Sequence, residues 1–106
     1  MRRLAWRSGS VDVVVDKATL DTLLNGDDGG ADAAAMLAEA ARVLASGTGI
    51  LLCVTTGAPE ERLPLLLSAG GAEGDDAPPR FALLQHAPLR RGVLTFHAYV
   101  LRRCAA

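Results

Sequence analysis

The residues with most chemistry to offer stand at 16 and 17, an acid and a lysine side by side within Val11-Asp12-Val13-Val14-Val15-Asp16-Lys17-Ala18-Thr19-Leu20-Asp21-Thr22-Leu23-Leu24. An ammonium can donate to an oxygen of a ligand, and a carboxylate can orient an amine or balance a positive charge. Their place follows from the change of period around them. Residues 11–15 form a short β-branched run that reads as a strand buried on both faces. After Lys17 the apolar residues fall at Leu20, Leu23 and Leu24, which is helical spacing, and Thr19 and Asp21 are types that favour helix starts and turns. In open α/β sheets ligands sit beyond the carboxyl ends of parallel strands, so a strand, charged turn and helix put Asp16 and Lys17 where such a protein does its chemistry. Thr19 and Asp21 are expected to cap or brace the turn.

No second constellation competes with this one. His86 and His97 lie on or at the end of β-rich runs with no nucleophile pattern beside them, so both read as satisfied surface residues rather than catalytic bases. Cys53 sits in an apolar run and Cys104 in the tail, neither at metal spacing nor in a disulfide framework, and both are expected to be reduced thiols. Asp27 and Asp28 lack the later acidic ligand of a calcium loop. Met36 falls at helical spacing and reads as core. No metal site is expected, and no catalytic residue can be named.

The elements that position residues 16 and 17 fit one domain, since a chain of 106 residues buries roughly 65% of its unfolded surface. A formal net charge of −1 gives no overall pull toward nucleic acid or acidic lipid, and the arginines at 2, 3, 7, 102 and 103 read as solvated termini. No apolar stretch is long enough for a signal peptide or a membrane span, so a cytoplasmic protein is expected, without nucleic-acid or membrane partners.

Residues 1–10 have no clear period, though Leu4 and Trp6 are apolar alternates; residues 25–30 read as a loop rich in Gly and Asp. Asp32 stands where an N-cap belongs. Met36, Leu37, Ala40, Val43 and Leu44 share one helical face, with Glu39 and Arg42 on the other and Gly47 as the C-cap glycine. Residues 48–56 form a second apolar run ending in hydroxyls, roughly 30 residues after the first, which is the spacing of a right-handed β-α-β crossover between parallel neighbours. Residues 60–67 read as a helix that either starts or kinks at Pro64, and residues 68–79 as a loop. The apolar runs at 81–86 and 93–101 are too close for a crossover helix and form an antiparallel pair, with Thr95, His97 and Tyr99 on one face. The expected fold class is α/β: a partial Rossmann-like sheet of two parallel strands with crossover helices plus a C-terminal antiparallel strand pair.

Asp16-Lys17-Ala18-Thr19-Leu20-Asp21 resembles the Asp-Lys-Gly-Thr-Leu-Asp signature of a family of class I S-adenosylmethionine-dependent methyltransferases, the one that includes the lysine methyltransferases of translation elongation factor one-alpha. The resemblance continues through Met36-Leu37-Ala38-Glu39-Ala40-Ala41-Arg42-Val43-Leu44, through the run at 50–56 and through Phe96-His97-Ala98-Tyr99-Val100. Gly47-Thr48-Gly49 is similar to an altered form of the family's Pro-Gly-Gly turn, and Ala18 replaces a glycine of the signature.

The resemblance covers the C-terminal half of a methyltransferase domain. The family's glycine-rich turn and the acidic strand end that takes the ribose hydroxyls have no counterpart within residues 1–106. It implies S-adenosylmethionine as cofactor, Lys17 and Asp16 as its contacts here, and a protein lysine or another amine as methyl acceptor. Taken alone, the chain is expected to be inactive and to show low solubility, self-association through an exposed edge of its first strand, or no measurable cofactor binding. A non-catalytic remnant or interaction module with the same fold is the alternative, and an unrelated dehydrogenase-like half fits the antiparallel pair poorly.

Overall fold

Two apolar runs of β-branched and leucine residues pair in parallel and set the frame. The computed structural model describes residues 6–26, 29–67 and 79–105. The elements are β1 (Val13–Lys17), α1 (Thr19–Leu24), α2 (Gly29–Val43), β2 (Ile50–Thr55), α3 (Pro59–Leu67), β3 (Phe81–Arg91) and β4 (Leu94–Arg103). They build one mixed four-stranded sheet of order β1-β2-β4-β3. β1 and β2 run in parallel, with Val13 opposite Ile50 and Lys17 opposite Val54. β4 lies antiparallel to both β2 and β3, so the expected terminal pair is present and is joined to the parallel pair through β4.

Strand alternation sends Val14 and Asp16, Leu51, Cys53 and Thr55, and Tyr99 and Leu101 to one face, and there the core forms. α2 delivers Ala33, Met36, Leu37, Ala40 and Ala41 to it, with Leu44 just beyond; α1 adds Leu20 and α3 adds Leu66. The reading of β1 as buried on both faces is therefore corrected: Val13 and Val15 are 53% and 63% exposed, because the helices pack only on the face of Val14. Among the described residues no helix is long and apolar enough to cross a membrane.

Other boundaries move for local reasons. α2 begins at Gly29, so Asp32 is not the N-cap but an acid of the first turn, where its charge faces the positive end of the helix. Glu39 is buried rather than solvated, held by Arg42 at the margin of the core. α2 ends at Val43, and the amides of Val11 and Gly9 bond the carbonyls of Val43 and Arg42 at 2.9 Å each. Gly47, at φ 81°, thus lies in the following turn rather than at the helix end. α3 starts at Pro59 and carries the exposed Pro64 within it. Pro59 needs no N–H partner at a helix start.

β3 is longer than its apolar stretch, running 11 residues through Pro88 to Arg91. Proline is tolerated because β3 is an edge strand of the sheet. The connection at 87–92 shrinks accordingly to a turn at Gly92 and Val93, with Gly92 at φ 62°. Leu4, Asp27, Asp28 and all but the last residue of the loop at 68–79 lie outside the described residues.

Ala18 is the one described non-glycine residue with positive φ, at 66°, and it precedes α1 without a side-chain cap. A Cβ in this left-handed conformation costs roughly 1 kcal/mol, which glycine avoids. Ala18→Gly is expected to raise unfolding stability by about 1 kcal/mol, read as a higher urea midpoint at unchanged m-value.

Candidate functional site

The turn after β1 and the end of β2 lie next to each other, because the parallel register places Asp16 opposite Cys53 and Lys17 opposite Val54. Alternation then separates the two charged neighbours. Asp16, 6% exposed, points into the core, where its carboxylate accepts the Leu20 amide at 3.3 Å and the Cys53 thiol at 3.6 Å. It supplies the N-terminal cap that Ala18 cannot. Lys17 points to the opposite, open face, is exposed, and lines a cleft with Val54, Leu89, Arg90, Arg91 and Phe96. The structure thus brings Asp16 and Lys17 to one turn and to different faces of the sheet.

Asp21 does more than brace its own turn. One of its carboxylate oxygens accepts from the Thr55 hydroxyl and from Arg62 Nη2, the latter at 3.0 Å. The other accepts from the Thr56 amide at 2.9 Å and the Thr56 hydroxyl at 3.2 Å. Arg62 Nε donates in turn to Thr55 Oγ1 at 3.2 Å, which also takes the Gly57 amide at 3.1 Å. A Cβ on Gly57 would clash with the Arg62 side chain, so only glycine lets the guanidinium lie across this turn. Tyr99 completes the chain of contacts by donating its hydroxyl to the Gly57 carbonyl at 2.8 Å.

These groups settle the local protonation states. Burial works to raise the Asp21 carboxyl, but the bonds from Thr55, Thr56 and Arg62 outweigh it and hold the group below its usual 3.8. Burial above all, and then the nearby Asp16 carboxylate, push the Cys53 thiol up to about 12. Burial likewise raises the Tyr99 phenol, which stays a donor. His86 and His97 are half-buried rather than solvated: His86 Nε2 and His97 Nδ1 are 2.8 Å apart, and both rings stack with Tyr99. Among the described residues no group of His, Cys, Asp and Glu could hold a metal ion.

Thr55, Thr56, Gly57 and Arg62 were not singled out from the sequence. The available signal was the hydroxyl pair ending an apolar run, opposite an acid in the helix after the neighbouring strand.

No protein-family model matches the chain, and no curated protein matches it. Among solved structures, a Thermus thermophilus protein provisionally named a DNA modification methylase superposes with a TM-score of 0.63 at 13% identity. The match covers 96% of this chain and 48% of that one, so the chain spans about half the length of this relative in fold. The fold is a methyltransferase-like α/β fold.

The network gives two measurable outcomes. Asp21→Asn takes from Arg62 its nearer countercharge, leaving only Glu61 at 4.0 Å, and is expected to cost about 2 kcal/mol of stability at neutral pH. Because the folded-state carboxyl titrates lower than the unfolded one, this contribution is complete above about pH 5, shrinks as pH falls through 3.8, and vanishes below the folded-state value. The stabilities of parent and Asp21→Asn therefore converge in acid in paired urea titrations. With a thiol reagent at pH 8, half-buried Cys104 is expected to react promptly and buried Cys53 only after unfolding.

Proposed function

We propose that the chain is the C-terminal half of a cytoplasmic S-adenosylmethionine-dependent methyltransferase, similar to the elongation factor one-alpha lysine methyltransferases, acting on a protein lysine or another amine. The observation that carries this reading is the placement of Lys17 at the tip of β1, directly beside the end of parallel β2, in a sheet of methyltransferase-like fold. The relative in fold is named for DNA modification.

The residues present fit part of the cofactor. Lys17 makes no ion pair among the described residues and has its ammonium open to a ribose or carboxylate oxygen. Val54, Leu89 and Phe96 give that position an apolar wall that excludes water. Asp16, beneath the same turn, adds a negative charge that balances a cationic centre without touching it. Gly57 offers no ligand cradle because Arg62 covers it, so the glycine-rich turn and ribose-binding acid are assigned to a complementary half. When bound, S-adenosylmethionine supplies an already activated methyl group, and the protein's part is alignment and exclusion of water rather than acid-base work.

The second reading, an interaction module without catalysis, is favoured by the Asp21–Arg62 network, which closes the end of β2 with its polar atoms already partnered.

Calorimetric titration separates the two. A polypeptide that joins this chain to the complementary half is expected to bind S-adenosylmethionine, and Lys17→Ala to weaken that binding about tenfold, the worth of one charge-assisted hydrogen bond. No change on Lys17→Ala removes Lys17 from the site. No binding by the joined polypeptide leaves the interaction module, and micromolar binding by the 106-residue chain alone overturns the half-domain assignment.

A further inference from the structure

The face of the sheet that the helices leave open ends, at the tips of β1 and β2, in a cleft of about 580 Å³ lined by Lys17, Val54, Leu89, Arg90, Arg91 and Phe96. Its composition is divided. Val54, Leu89 and Phe96 are apolar, and Leu89 and Phe96 are direct cross-strand partners. Lys17, Arg90 and Arg91 are exposed cations, and among the described residues no acidic one is in the lining. The described ion pairs are made by Arg42 and Arg62, none of them by these three.

The sheet itself imposes this gathering of like charge. Lys17 ends β1, while the tight turn at Gly92 and Val93 fixes Arg90 and Arg91 at the end of the β3–β4 hairpin. Lys17 and Arg91 share the open face by strand alternation, and their positive field attracts an anion. A small inorganic anion would leave the Phe96 floor unused. The surface suits an anion that carries a flat apolar group, with an arginine fork for phosphate and a ring for stacking. An acidic peptide would use the cations but gain little from the ring, and a lipid surface calls for apolar groups that protrude rather than line a cleft.

We propose that this cleft binds unpaired nucleotides, with phosphates on Lys17 and Arg91 and a base against Phe96. This goes beyond the methyl-transfer reading, with which it shares Lys17 and the apolar wall of Val54, Leu89 and Phe96, and adds an arginine which that reading does not use. The chain's net charge of −1 does not oppose it, because the field that matters is the local one.

Fluorescence anisotropy of a labelled oligothymidine with the whole chain, between about 50 and about 200 mM salt, tests the proposal. With two phosphate contacts, the logarithm of the binding constant is expected to fall with the logarithm of salt at a slope of about −1.4. The double substitution Arg90→Ala and Arg91→Ala is expected to reduce the slope to about −0.7 and to weaken binding at least about tenfold. Phe96→Leu keeps an apolar floor and is expected to weaken binding about fivefold or more at unchanged slope. Competition by thymidine monophosphate at the same site, with a slope near about −0.7, assigns the cleft to a single nucleotide rather than a strand. Unchanged binding in the arginine or Phe96 variants, or binding to anionic vesicles but not to oligothymidine, overturns it. S-adenosylmethionine affinity, measured in the same arginine variant of the joined polypeptide and expected to be unchanged, keeps this result distinct from the fate of the methyltransferase reading.

Discussion

The strand tips depend on one carboxylate. Asp21 gathers the end of β2, the turn that follows it and the first half of α3 through Thr55, Thr56 and Arg62, and Gly57 passes the connection on to Tyr99 of β4. Each partner is short of alternatives in that environment. The Thr55 hydroxyl is fully buried, and the Arg62 and Asp21 side chains are mostly so. Removing one group therefore strands the others away from water, which costs more than the bond itself contributes. Among the described residues no buried side-chain polar atom lacks a partner, so this end of the sheet is held as a closed polar network rather than by packing alone.

Much of the fold was legible because it is written in local period and spacing. The β-branched run around Val14, the helical face from Met36 and the separation between the two parallel strands each report on neighbours close in sequence, and the structure makes a strand, a core-facing helix and a parallel pair of them, with Leu44 just beyond the helix end. The short gap before β4 forced the antiparallel pair for the same reason. What period cannot report is which side of a sheet gets covered. Val13, Val14 and Val15 look alike in the sequence, and only the packing of all three described helices on one face makes Val14 half-buried and its neighbours exposed.

The candidate site was legible at Asp16 and Lys17 and silent at Arg62. An acid and a base at a strand end mark a turn by themselves, whereas Arg62 becomes part of the site only when α3 folds back over Gly57 and brings it across 41 residues of chain to Asp21. The half-burial of the histidines escapes the sequence for a related reason. A diagonal cross-strand contact between His86 and His97 needs the register of β3 and β4, which the bulge between Leu83 and Gln85 shifts in a way no spacing rule anticipates.

The two faces of the sheet consequently carry different chemistry from one short segment. On the helical face, Asp16 and Asp21 are fully engaged, the Cys53 thiol is held protonated by burial and by Asp16, and little there is free to meet a ligand. On the open face, Lys17 and Arg91 stand around apolar residues without countercharges among the described lining residues. Strand alternation alone produces this division, since adjacent residues of an extended chain must point to opposite sides. A sealed acidic network thus fixes the backbone of the turn, while the neighbouring residue is left exposed to act. That arrangement gives a long, flexible lysine a rigid base, which is what positioning a ligand at a strand tip requires.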